Sequence, residues 1–389
     1  MRIWKFALLS CCALMLVAPL VFHVMGWSAV ESRENRNLAQ WPRSPEGLND
    51  FRDYPRQLDA YLEDHFGLRD FLVDTYGAIR YHFLRKASKD HVLVGRDGFL
   101  FLAKNPGELA PKKLWRSCGV AQEDPEPAQQ AMREAKRYFD ARNLSLTYMF
   151  VPTKAAIYPD KLPAGLRDQC GDARKPVAAQ LAEFGRQLQV PALYPRSELE
   201  ALRKRAIAYY PAQYHWHAEA PLMAAGLVAA ELGRGPLGVA EPPKEQRQHT
   251  PDLARHLPGV DLVFDFTAYR YGDAAIDRCS GEKCIPGAGE KYGRGLKLNV
   301  FTNVAPNNVA PKNKLLVLSD SFGWQIAAPL ALYFSEVTII DTNQLNSKNG
   351  HDFFEWVLGE TEPDTVLLLY SDGGLPNRLE RDWRLFSGG

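Results

Sequence analysis

Two short stretches carry residue types that can do nucleophilic chemistry. In "LLVLSDSFGW" an apolar run, Leu315–Leu318, leads into Ser319, Asp320 and Ser321, and a helix is expected to start near Gly323. In "AQYHWHAEA" His215 and His217 flank Trp216, just ahead of a second helical pattern. A serine at the carboxyl end of a sheet strand sits where open α/β sheets place their sites. At a helix N-terminus it also meets free N–H groups able to stabilise an oxyanion. A histidine within hydrogen-bond reach serves such a serine as general base, and a carboxylate normally fixes that histidine's tautomer. The position two before His215 is Gln213, an uncharged amide. Other roles compete for the same residues. Ser319 and Ser321 fit helix caps, and the histidines fit packed neighbours of Trp216 or metal ligands on one side of a strand. No third ligand accompanies the two histidines in sequence, so neither a metal nor a cofactor is expected.

The elements that must position these residues follow an alternating pattern from about residue 127. Pro127 opens a helix running to Arg142, "LSLTYMFV" reads as a strand, a helix reaches Leu188, and "VPALY" is a short strand. Ala218–Leu232 is helical again, and "KLLVL", "EVTIID" and "DTVLLLY" supply further strands. This alternation predicts a three-layer α/β domain with a mostly parallel sheet. Residues 234–312 are rich in Pro, Gly and charge, with only "VDLVFDF" strand-like, and read as an insertion in that domain. Upstream, Phe51, Tyr54, Leu58, Tyr61 and Leu62 fall at helical spacing, as do Leu68, Phe71, Leu72, Tyr76, Ile79 and Phe83. "HVLVGRDGFLFL" then predicts a hairpin around a Gly-Arg-Asp-Gly turn. The expected organisation is a segment 1–28, a helical lead-in with the hairpin over 29–105, and the main domain over 106–389.

The first segment is apolar. After Arg2 and Lys5 comes "FALLSCCALMLVAPLVFHVMGW", close to the roughly 20 residues that cross a bilayer as a helix. Basic residues ahead of it favour a cytoplasmic N-terminus and export of all that follows. No small-x-small site closes the run, so an uncleaved signal anchor is expected, with a cleaved signal or a lipoprotein box at Cys11 as alternatives. Export favours disulfides among Cys118, Cys170, Cys279 and Cys284. Cys279 and Cys284 share the loop "DRCSGEKCIPG", which leaves Cys118 with Cys170, and neither cluster has zinc-type spacing. A net charge of +1 gives no electrostatic case for a nucleic-acid partner.

Several segments, in order, resemble the alginate O-acetyltransferase family of exported, SGNH-hydrolase-like proteins, the AlgJ/AlgX group. They are "ENRNLAQWP", "YLEDHFGLRD", "VLVGRDGFLF", "VPTKAAIYPDKLP", "YHWH" and "LVLSDSFGW". Histidine before serine is that group's permuted order. The resemblance implies an SGNH-like fold with Ser321 as nucleophile, His215 as base, and Gln213 at the position of the family's aspartate. Asp320 and Asp372 are the candidate substitute carboxylates, while Lys154, Tyr158 and Trp216 are candidate cleft residues. The tail "YSDGGL" departs from the Glu-Arg expected there. The family further implies an acyltransferase held in the bacterial inner membrane by one N-terminal helix, with its main domain in the periplasm. Such an enzyme takes acetyl from a membrane-associated donor protein and gives it to an exopolysaccharide hydroxyl, or to water if it is an esterase. Gln213 keeps a second expectation open: a degraded member that binds polysaccharide or scaffolds an export complex.

Overall fold

The computed structural model describes residues 38–65, 67–121, 123–171, 175–237, 241–288, 297–305, 313–345 and 350–388, with scattered positions before residue 38. The expected anchor over 1–28 lies mostly outside the described residues. Among the described residues no helix is long and apolar enough to cross a membrane. The chain divides into two units, Met1–Asp90 with Ala254–Leu262, and His91–Leu253 with Val263–Gly389. The hairpin therefore groups with the larger unit, and a short downstream segment groups with the smaller one.

In the smaller unit the two amphipathic patterns form helices Leu48–Asp64 and Arg69–His82. Backbone meets backbone where the segment 254–262 lies on the second helix. A Cβ on Gly77 would come 2.1 Å from the Pro258 carbonyl oxygen, and one on Gly259 would come 1.9 Å from that of Asp74. Gly259 also has φ +69°, so both the space and the conformation there require glycine.

The larger unit holds the chemistry. Its hairpin pairs β1 (Val92–Val94) with β2 (Leu100–Leu102), Val92 opposite Leu102, around a turn with positive φ at Asp97 and Gly98. The strands that follow are β3 (Ser145–Val151), β4 (Ala192–Leu193), β5 (Lys244–His249), β6 (Phe264–Tyr269), β7 (Ile276–Ser280), β8 (Leu298–Asn303), β9 (Lys314–Ser319), β10 (Glu336–Asp341) and β11 (Thr365–Ser371). Seven of them make one sheet in the order β4-β3-β11-β9-β10-β8-β7, while β5 and β6 form a separate antiparallel ribbon. Pairing is parallel from β4 to β10 and antiparallel through β8 to β7. The expected mostly parallel sheet is thus a mixed one. Its two antiparallel strands come from the stretch read as an insertion, where the polar edge strand "IDRCS" carries little strand signal.

The five parallel strands are buried on both faces, which is why they read as near-continuous apolar runs. Leu315, Val317, Leu367 and Leu369 pack on one side, with helices Glu219–Glu231 and Gly323–Leu330. Leu316, Leu318, Val366 and Leu368 pack on the other, with helices Glu126–Asp140, Val177–Gln187, Gly350–Thr361 and Asn377–Ser387. Disulfides join Cys118 to Cys170 and Cys279 to Cys284.

β9 lies inside the sheet, flanked by β11 and β10, and it ends at Ser319. The chain turns so tightly after it that a Cβ on Gly323 would lie 2.0 Å from Ser319 Oγ and 2.8 Å from Ile339 Cδ1. Overpacking of this kind costs about 1–3 kcal/mol. Gly323→Ala is expected to lower the unfolding free energy by that amount, seen as a lower denaturant midpoint with an unchanged m-value. An unaltered midpoint would show that the turn is looser than this geometry.

Candidate active site

The turn after β9 presents Ser321, and the irregular segment between helices Arg196–Leu202 and Glu219–Glu231 presents His215. His215 Nε2 lies 2.9 Å from Ser321 Oγ. His215 Nδ1 lies 2.8 Å from Asp252 Oδ2. These contacts form a serine–histidine–aspartate chain whose acid lies 37 residues beyond the histidine. A carboxylate only accepts, so Nδ1 must carry the ring proton, and the Nε2 lone pair then faces the serine hydroxyl. Burial pushes the Asp252 carboxyl up. The His215 ring, the Tyr214 N–H and the Lys154 charge together outweigh that effect and leave it below its usual value. Asp252 is therefore ionised at neutral pH.

Gln213 supports this acid from the position of the family's aspartate. Its Oε1 accepts from the Asp252 backbone N–H at 3.1 Å. Tyr214 N–H donates to Asp252 Oδ1 at 2.6 Å, and Leu253 N–H donates to the Ala212 carbonyl at 3.2 Å. The carboxylate that Gln213 lacks is thus brought in on a neighbouring segment, which is laced to residues 212–214. Aromatic contacts fix the His215 ring between Tyr214, at 5.1 Å, and Phe322, at 4.9 Å.

The two substitute carboxylates expected from sequence do other work. Asp320 accepts from Phe322 N–H through Oδ1 and from both Ser371 N–H and Ser371 Oγ through Oδ2, so it braces the nucleophile turn against the end of β11. Asp372 accepts from Ser117 Oγ, Thr153 N–H and Tyr194 OH, tying the end of β11 to the end of β3. Burial raises its pKa, with those donors pulling the other way. Neither group is bonded to His215, because each is already committed to the backbone and hydroxyls at the strand ends.

Of the candidate cleft residues, Trp216 and Tyr158 pack in the interior and Lys154 borders a cavity. Trp216 is wholly buried, and its Nε1 donates to the Phe322 carbonyl at 3.0 Å, clamping the histidine segment to the serine segment. Tyr158 is buried, and its OH accepts from Ala208 N–H. Lys154 borders a small cavity with Lys113, Ser117, Thr153, Tyr214 and Gly373. Its ammonium, however, is directed onto backbone carbonyls of residues 210, 211 and 213. Burial pushes that ammonium down to about 7, with Asp252 pulling it back up.

Of the two histidines, His217 is the packed one. Its Nδ1 accepts from Ala218 N–H, its ring lies 4.7 Å from Phe266, and burial pushes its pKa down to about 4. His215 has both nitrogens engaged, so the pair offers no metal-binding set. Among the described residues no group of three or more His, Cys, Asp or Glu is placed to hold a metal.

Asp252 is the member of this hydrogen-bond chain that the sequence did not reveal. It stands in "HTPDLARH", inside a Pro- and charge-rich stretch with no spacing relation to His215. In serine proteases, replacing the triad aspartate by its amide costs about 10⁴ in kcat. Asp252→Asn is expected to slow acylation of Ser321 by an activated ester by a factor of roughly 10³–10⁴. Intact-mass kinetics measure this, and a wild-type rate in the variant would remove Asp252 from the triad.

Comparison with known proteins reaches part of the chain. Residues 92–264 match the family described as SGNH hydrolase-like domain, acetyltransferase AlgX, a stretch that holds His215 and Asp252 and ends before Ser321. No curated protein matches. Among solved structures, PatB1 of Bacillus cereus, determined with a sulfonyl adduct, is 15% identical with a TM-score of 0.49, over 75% of this chain and 99% of that one. AlgX of Pseudomonas aeruginosa is 13% identical with a TM-score of 0.46, over 81% of this chain and 70% of that one. The O-acetyltransferase domain of Pseudomonas putida AlgJ is 15% identical with a TM-score of 0.39, over 73% of this chain and 92% of that one. Over residues 92–264 the chain is similar to the family described as SGNH hydrolase-like domain, acetyltransferase AlgX.

Proposed function

We propose that the protein is an O-acetyltransferase that moves acetyl groups onto a polysaccharide through an acetyl-Ser321 intermediate. One observation carries the reading: the unbroken hydrogen-bond chain from Asp252 through His215 to Ser321 at the carboxyl end of β9. The match of residues 92–264 to an acetyltransferase family supports the choice of acyl group. Gln213 keeps open a degraded member that binds polysaccharide or scaffolds an export complex, and the Asp252 carboxylate beside His215 favours the enzyme over it.

The reaction runs as two displacements. In the first, Ser321 Oγ attacks the acetyl carbonyl of the donor while its proton passes to His215 Nε2. The imidazolium so formed is stabilised by Asp252 and returns that proton to the departing donor group, leaving acetyl on Oγ. In the second, His215 takes the proton of a sugar hydroxyl whose oxygen attacks the acetyl carbonyl. Collapse of that intermediate transfers acetyl to the sugar and gives the proton back to Ser321. The Phe322 and Gly323 N–H groups are bonded to Asp320, so the Ser321 N–H is the backbone donor assigned to the oxyanion. Water in place of the sugar would make the protein an esterase, so acceptor binding must compete with hydrolysis.

The setting follows from the N-terminal sequence. The apolar run after Arg2 and Lys5 anchors the chain in the bacterial inner membrane, the rest stands in the periplasm, and a membrane-associated protein supplies the acetyl group. Incubation of the detergent-solubilised full chain with an activated acetyl ester is expected to place acetate on Ser321, seen by intact mass and peptide mapping. Ser321→Ala and His215→Ala are expected to stay unlabelled. A folded wild type that takes no label would overturn the acyl-enzyme reading.

A further inference from the structure

Lys154 is a charged side chain where none is expected. It follows the end of β3, opens the short helix Lys154–Ile157, and is 2% exposed. Its Nζ donates to the carbonyls of Pro211 and Gln213, each at 2.6 Å, and to that of Tyr210 at 3.3 Å. An ammonium has three N–H donors and no acceptor, whereas a neutral amine has only two donors. Three carbonyl acceptors therefore match the charged form. The rings of Phe99 and Phe101 lie 5.7 and 5.5 Å from the same nitrogen and favour a cation there. The three carbonyls belong to a single turn, closed by Gln213 N–H to the Tyr210 carbonyl at 3.1 Å. His215 follows that turn two residues later.

We propose that Lys154 is a positioning residue for the triad: its ammonium acts as an internal cation on which the 210–213 turn is built, and that turn sets both His215 and Asp252. The path is continuous. Lys154 Nζ holds the Gln213 carbonyl, Gln213 Oε1 holds the Asp252 N–H, and Asp252 Oδ2 holds His215 Nδ1 against Ser321. Two bonds that do not involve Lys154 pin the same loop elsewhere, from Leu100 N–H to the Pro211 carbonyl and from Tyr209 OH to the Pro152 carbonyl. Loss of the cation should thus loosen the turn without unfolding the unit. The Gln213 carbonyl would then lose its Lys154 donor while the Pro211 and Tyr210 carbonyls kept theirs from Leu100 and Gln213, and the turn would open to satisfy it.

This inference rests on the acyl-enzyme reading, and the test separates the two. Acetylation of Ser321 by an activated acetyl ester is followed in the detergent-solubilised full chain for wild type, Ser321→Ala, Lys154→Met and Lys154→Ala. Misplacement of a catalytic group by about 1 Å can cost about 10²-fold in rate, so folded Lys154→Met is expected to acetylate roughly 10²-fold more slowly. The ester concentration giving half-maximal rate should stay as in wild type, because Lys154 does not touch the ester. In Lys154→Ala, n-butylammonium should restore the rate and n-butanol should not. A wild-type rate in Lys154→Met overturns the inference, as does a Lys154→Ala rate that butanol also restores or that neither additive restores. If both variants fail to fold, the wild type labelled with lysine carrying ¹⁵N at Nζ decides. An exchange-protected ammonium resonance supports the internal cation, and its absence refutes it. Failure of the wild type itself to acetylate would strike the acyl-enzyme reading, while the ammonium resonance would still report on Lys154.

Discussion

A carboxylate held against a histidine decides which ring nitrogen bears the proton, and here that pair is Asp252 and His215, 2.8 Å apart. With the proton fixed on Nδ1, the opposite nitrogen is a base aimed at Ser321 Oγ, 2.9 Å away. Without the carboxylate, the ring is free to turn its N–H toward the serine and the hydroxyl loses its acceptor. Other interactions around the site keep this pair in register. Gln213 and the Tyr214 N–H grip Asp252, Trp216 clamps the histidine segment to Phe322, and Tyr214 and Phe322 flank the ring.

The sheet supplies the fixed frame for these contacts. β3, β11 and β9 run parallel, and their carboxyl ends are tied to one another by two buried aspartates. Asp320 joins the serine turn to Ser371, and Asp372 joins the residue after β11 to Thr153 and Ser117. Both faces of the strands are packed, so their ends have little freedom to move. The histidine comes from a loop instead, and that loop is fastened to the frame by side-chain bonds to its carbonyls. A rigid strand end thus presents Ser321, and a laced loop presents His215 and Asp252.

Much of this was legible in the sequence, for physical reasons that differ by residue. Strands buried on both faces are continuous apolar runs, so β3, β9, β10 and β11 stood out, and the turn after β9 marked Ser321. His215 was marked by its place before a helix and by the motif it resembles. Asp252 left no such trace. It acts through a contact between chain segments, and its surroundings in sequence are polar and irregular. The same holds for β5, "KEQRQH", whose exposed side chains show no apolar alternation, and for the edge strand β7. The role of Gln213 could not be read either, because an amide two residues before a histidine looks like a lost carboxylate until its partner is in view.

The central claim is that Asp252, and not the residue at position 213, holds the proton on His215 Nδ1. Proton NMR of the folded chain tests it directly, through the low-field resonance of an imidazole N–H bonded to a carboxylate. The account predicts that this resonance is present in the wild type, survives in Gln213→Ala, and disappears in Asp252→Ala. A resonance that survives Asp252→Ala, or is lost only in Gln213→Ala, would contradict it.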